Sequence, residues 1–194
     1  MRYDRLTRML HWGIAIGVIL QLVSEQLMVR RLVNKDPDFL QSATLILHEY
    51  MGFVVLIVVG IRFTLMLDNP DRGVHHTFPW LTGQGRKALM AEIRIELPAW
   101  LRGQLKRPEE ANCLARSVHG LGLVLALGLG LTGMLLFVGT QADGSTHGPI
   151  EAGRQLHDVL GYIMWLYIIG HVCMALLHQR LGHRVLQGMF RLRD

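Results

Sequence analysis

Apolar residues fill four long stretches of this 194-residue chain almost without interruption. A soluble amphipathic helix or strand would bring polar side chains at regular intervals, and none of the four does so. The first stretch covers about residues 9–29, with Glu25 its single acid or base, and the second covers about 41–67, broken by Glu49 and Arg62. The third, 117–140, holds no Asp, Glu, Lys or Arg; the fourth, 154–179, contains a charge-free run from Val159 to Gln179. At a helical rise of ~1.5 Å per residue, each is long enough to cross ~30 Å of hydrocarbon. Such runs are too long for buried strands and lack the short-period turns of a barrel. The pattern predicts an all-α integral membrane protein, a four-helix transmembrane bundle forming one domain over residues 1–194.

The connections give the direction. Arg2, Arg5 and Arg8 precede the first span, eight Lys and Arg from Arg72 to Arg116 lie between spans two and three, and Arg180, Arg184, Arg191 and Arg193 follow span four. The other two connections carry Arg30, Arg31 and Lys35, then Arg154. Positive charge gathers on the cytoplasmic side, which predicts cytoplasmic N- and C-termini and a cytoplasmic loop over about 68–116. In that loop residues 84–97 read as a short amphipathic helix ending before Pro98, with Trp80 and Trp100 as interfacial anchors. The loop reads as a lipid-facing linker, with partner docking as the alternative. Gln21, Glu25 and Gln26 follow the first arginines with no small-residue cleavage site, so the first span reads as a retained helix.

Composition adds exclusions. Hydrophobic residues are 51% and charged residues 18% of the chain, against roughly a quarter charged in a soluble domain. The net charge of +5 borders apolar spans and forms no dense stripe, which argues against nucleic acid. Cys113 and Cys173 form neither Cys-x-x-Cys nor Cys-x-x-Cys-His, so covalent haem attachment lacks its motif.

Histidine carries the chemistry. His11, His48, His119, His157 and His171 lie in or at the edges of the spans, where a polar ring is costly unless it faces a bundle interior and finds a partner. His157 and His171 are 14 residues apart, nearly four turns and ~21 Å, so both face one side of span four. Topology pairs His48 with His157 toward the outside, and His11 with His171 toward the inside. Each pair can hold one iron axially, and haem b suits them better than zinc, which wants closer clustering with thiolates or carboxylates. His119 is the second candidate for the inner ligand, or a donor to a propionate or quinone oxygen. His178 and His183 read as surface residues near the interface.

Supporting features follow the same geometry. Gly122, Ala126, Gly130 and Gly133 form a small-residue stripe on span three, suited to close helix packing, to a porphyrin face, or to a homodimer. Arg62 lies 14 residues after His48, on nearly the same face. An arginine inside a span needs an anion, which an inner-haem propionate would supply; snorkelling to lipid phosphate is the alternative. Arg8 is placed to do the same from span one.

The chain resembles the prokaryotic cytochrome b561 family, and through it the diheme cytochrome b subunits of membrane-bound formate dehydrogenases and nickel–iron hydrogenases. The resemblance rests on Arg8-Met-Leu-His-Trp12, His48-Glu-Tyr-Met-Gly52, His119 with Leu131-Thr-Gly133, and the segment His157 to His171. It implies two haems b carried by His11, His48, His157 and His171 in a bacterial inner-membrane protein. It also implies electron exchange between a quinone pool and a redox partner or small donor, superoxide among them. The other functional class it implies is a membrane-anchor subunit of a multisubunit dehydrogenase or hydrogenase. A haem-free transporter or scaffold would leave the histidine placement without a purpose.

Overall fold

The computed structural model describes residues 5–28, 39–68, 73–104, 113–141, 144–183 and 186. Their elements are α1 (Arg5–Leu27), α2 (Phe39–Leu67), α3 (Val74–Thr77), a 3-10 turn (Pro79–Leu81), α4 (Gly83–Leu101), α5 (Cys113–Gly139) and α6 (Pro149–Arg180). Several charges used for orientation, including Arg2, Arg30, Arg31, Lys35, Arg72, Lys106, Arg107, Arg184, Arg191 and Arg193, lie outside the described residues.

The protein is all-α, and α1, α2, α5 and α6 are each long and apolar enough to cross a membrane. A helix satisfies its backbone donors and acceptors internally, which hydrocarbon requires. The outward faces are apolar as well: Ile16, Ile19 and Val23 on α1, Ile57 and Ile61 on α2, and Leu166 and Ile169 on α6 are exposed. In water so many exposed aliphatic side chains would be a liability, whereas lipid solvates them. The helices form a multi-pass transmembrane bundle. Their starts precede the apolar windows: α1 begins at Arg5, α5 at Cys113 and α6 at Pro149, the last a residue pre-set for a first helical turn.

The chain divides into two compact units. One comprises residues 9–61 and 124–166, with Val18, Leu22, Val55, Val59, Leu125, Ala126 and Met164 buried. Glycine permits close approach here: a Cβ at Gly130 would lie 2.8 Å from Leu56 Cδ1, and one at Gly133 would lie 3.3 Å from His157 Cε1.

The other unit comprises residues 1–8, 62–123 and 167–194. Within it the middle loop is built into the fold. Buried Phe78 stacks on Phe63 of α2 with centroids 5.9 Å apart and meets Trp80 edge-on at 5.5 Å. Thr82 caps α4 by accepting from the Gly85 N–H at 3.0 Å. Glu92 of α4 accepts from the backbone N–H groups of Cys113 at 2.9 Å and Leu114 at 2.7 Å. A carboxylate thus closes two of the donors that the start of α5 leaves open and sits at its positive end. The helix expected to stop before Pro98 continues to Leu101. Pro98 brings no N–H to the ladder, so the helix carries it in its last turn at the cost of one i→i−4 bond.

The Glu92 cap gives a first prediction. Glu92→Ala should lower the thermal unfolding midpoint in detergent, since each hydrogen bond to a charged group contributes on the order of 1.5–3 kcal/mol. An unchanged midpoint would remove the cap from the account.

Candidate functional site

His48 of α2 and His157 of α6 meet within one unit, their ring centroids 6.3 Å apart and their planes crossed at 77°. Two imidazoles bound to opposite sides of one metal, with metal–nitrogen bonds of ~2.0 Å and ring radii of ~1.1 Å, have centroids ~6.2 Å apart. The observed spacing fits that arrangement.

Hydrogen bonding defines which nitrogen of each ring is left over. His48 Nδ1 lies 3.0 Å from Ser24 Oγ and 3.2 Å from the Gln21 carbonyl oxygen. A carbonyl only accepts, so Nδ1 carries the proton. Ser24 Oγ in turn donates its single hydrogen to the Gln21 carbonyl at 3.0 Å. Gln21 also donates from Nε2 to the His48 carbonyl at 2.8 Å, tying α1 to α2 on both sides of the ring.

His157 repeats the device on other helices. Its Nδ1 lies 2.8 Å from Thr132 Oγ1 of α5, and that hydroxyl donates to the Gly128 carbonyl at 2.7 Å. Assigning the hydroxyl hydrogen to the Gly128 carbonyl, the shorter contact, makes Nδ1 of His157 the donor. Both rings therefore hold the Nδ1–H tautomer and keep the Nε2 lone pair for a metal. Ser24 and Thr132 are buried, which holds these bonds away from competing water.

The other unit gathers His171, Tyr167 and His119. Tyr167 stacks on His171 one turn later in α6, with centroids 5.5 Å apart and planes inclined by 13°. His119 of α5 meets His171 edge-on at 5.4 Å. That is shorter than two rings opposed across one metal require, and it describes direct ring contact. A Cβ at Gly122 would overlap the Tyr167 hydroxyl, so the glycine at this position makes room for the tyrosine. His11, half-buried on α1, lies edge-on to Trp12 at 6.2 Å in the first unit. Arg8 is buried and Arg62 is half-buried on α2. His178 and His183 bring their Nδ1 atoms within 2.8 Å at the end of α6.

A family model described as prokaryotic cytochrome b561 matches residues 2–192. The chain belongs to the prokaryotic cytochrome b561 family. Comparison with curated proteins and with solved structures gave no match. Membership makes this cytochrome b561 a haem-binding transmembrane electron-transfer protein. At His48 and His157 the ring spacing and the crossed planes are compatible with two imidazoles sharing one iron.

Ser24, Thr132, Gln21, Tyr167 and Glu92 escaped the sequence reading of the site and its supports. A hydroxyl in an apolar helix ordinarily bonds its own preceding turn, so Ser24 and Thr132 carry no distinctive signal. Their spacing from the histidines, 24 and 25 residues, becomes informative only once the helices are paired.

Proposed function

We propose that this cytochrome b561 carries two haems b and passes electrons between a quinone pool and a redox partner or small donor. The outer haem is assigned to His48 and His157, and the inner haem to His171 with His11. The observation carrying this reading is the opposed His48–His157 pair with both Nδ1 atoms committed to hydrogen bonds. The contact of His119 with His171 supports a neighbouring role for His119, toward a propionate or a quinone oxygen, over a role as the opposite ligand. Haem b, when bound, would supply reversible one-electron chemistry.

The remaining work falls to the protein. Ser24 and Thr132 hold the tautomers, the apolar spans exclude water, and Arg8 and Arg62 supply cations for propionates. The protein sits in the bacterial inner membrane with both termini and the middle loop cytoplasmic. Superoxide as direct donor would gain from cations outside the membrane. Arg154, one of the four cations of the two outer connections, pairs with Glu151 and lies 3.4 Å from Asp158, so its charge is balanced locally. A membrane-anchor role in a larger dehydrogenase predicts a catalytic subunit that co-purifies.

Purification in mild detergent with haem quantitation and a reduced-minus-oxidised spectrum tests the reading: two haems b per chain are expected, and a colourless protein overturns it. Arg62→Leu should shift the potential or occupancy of the haem lost in His171→Ala and leave the other unchanged. Equal effects on both haems would remove Arg62 from the inner site.

A further inference from the structure

The two histidines of the outer pair are served by separate hydroxyls from separate helices. Ser24 comes from α1 and Thr132 from α5, and each stands between an imidazole Nδ1 and a carbonyl of its own helix. On both sides Nδ1–H faces a hydroxyl oxygen whose hydrogen goes to a backbone carbonyl; at His48 the Gln21 carbonyl also lies 3.2 Å from Nδ1. Donation by the hydroxyl makes its oxygen a better acceptor, because hydrogen bonds in a chain polarise one another. A stronger acceptor at Nδ1 draws the ring toward imidazolate character and makes Nε2 the better electron donor.

We infer that Ser24 and Thr132 are positioning residues for the outer site: they fix the tautomer of His48 and His157 and set the electron-donating strength of both axial nitrogens. The inference rests on the assignment of haem to His48 and His157 made above. A better donor stabilises oxidised iron over reduced iron, so the two hydroxyls hold the outer haem's reduction potential down. Both axial ligands are tuned in one direction, and their effects reinforce each other. No other member of the site needs to move: Gln21 keeps its link to the His48 carbonyl at 2.8 Å when Ser24 is replaced.

The test uses the full-length protein in detergent, with the outer haem defined as the one lost in His157→Ala. Potentiometric titration and low-spin electron paramagnetic resonance are recorded for Ser24→Ala, Thr132→Val, the double variant and Thr132→Ser. An upward shift of the outer potential is expected in each of the first three, smaller in Ser24→Ala, where the Gln21 carbonyl 3.2 Å from Nδ1 can still accept, and largest in the double variant. The outer low-spin signal should shift with it while the inner haem stays unchanged. Thr132→Ser should restore the native potential, since it returns the hydroxyl. Retained outer haem with unmoved potential and signal in both single variants would overturn the inference and leave the haem assignment intact. Loss of both haems from Thr132→Val and Ser24→Ala would also overturn it, in favour of a packing role. Selective loss of the outer haem from both, with Thr132→Ser retaining it, would support it. The haem assignment itself fails separately, if His157→Ala keeps two haems with native spectra.

Discussion

His157→Ala is expected to remove one of the two haems and leave the other with its native spectrum and potential. The imidazole at this position does two things at once. It stands 6.3 Å from the His48 ring by centroids, the spacing two imidazoles sharing one metal would take, and its Nδ1 lies 2.8 Å from the Thr132 hydroxyl. Alanine removes the ligand and opens a gap beside Gly133, whose backbone lies against the ring. His48 then has no opposite partner, and a single axial imidazole leaves the iron open to exogenous ligands. Haem content should fall by about half, a larger effect than any expected here from a supporting residue. Two native bis-histidine spectra in the variant would show that the pair holds something else.

The second large effect separates His171 from its neighbour. His171→Ala should remove the inner haem, again halving the content, whereas His119→Ala should keep two haems and alter the inner environment. The grounds are metric: His119 and His171 have centroids 5.4 Å apart, too close for two rings bridged by one metal with bonds of ~2.0 Å. Tyr167, stacked on His171 at 5.5 Å, holds the ring's orientation from within α6. Tyr167→Leu should therefore broaden or shift the inner-haem spectrum without emptying the site. Loss of the inner haem from His119→Ala would reverse the roles of His119 and His11.

The four spans were legible because a hydrocarbon solvent imposes length and composition together, and the windows at 9–29, 41–67, 117–140 and 154–179 satisfied both. The meeting of His48 and His157 was legible from topology, since the second and fourth spans run in the same direction and each carries its histidine near its start. What holds the rings was not. Ser24 and Thr132 make ordinary back-bonds within their own helices, and only the tertiary pairing turns those hydroxyls toward imidazole. Glu92 read as one charge on an amphipathic segment; its role depends on where α5 begins, a geometry no local pattern encodes. The end of α4 was misplaced at Pro98 because proline signals a break most strongly in a helix interior, and Pro98 lies in the last turn. The contact of His119 with His171 depends on the rotation of α5 against α6, which histidine spacing along one helix does not fix.

The proposed relay of electrons from quinol across the membrane is tested most directly in sealed proteoliposomes. The purified, haem-loaded protein is reconstituted with a membrane-impermeant oxidant trapped inside, and a reduced quinone is supplied from outside. Protein-free liposomes with the same quinol set the background. The account predicts that the haem bands become reduced and that the internal oxidant is consumed faster than background, with His157→Ala slowing consumption to near background. Haem that stays oxidised with every quinol tried, yet is rapidly reduced by a co-purifying catalytic subunit without quinone, would contradict it and make the chain a dehydrogenase anchor.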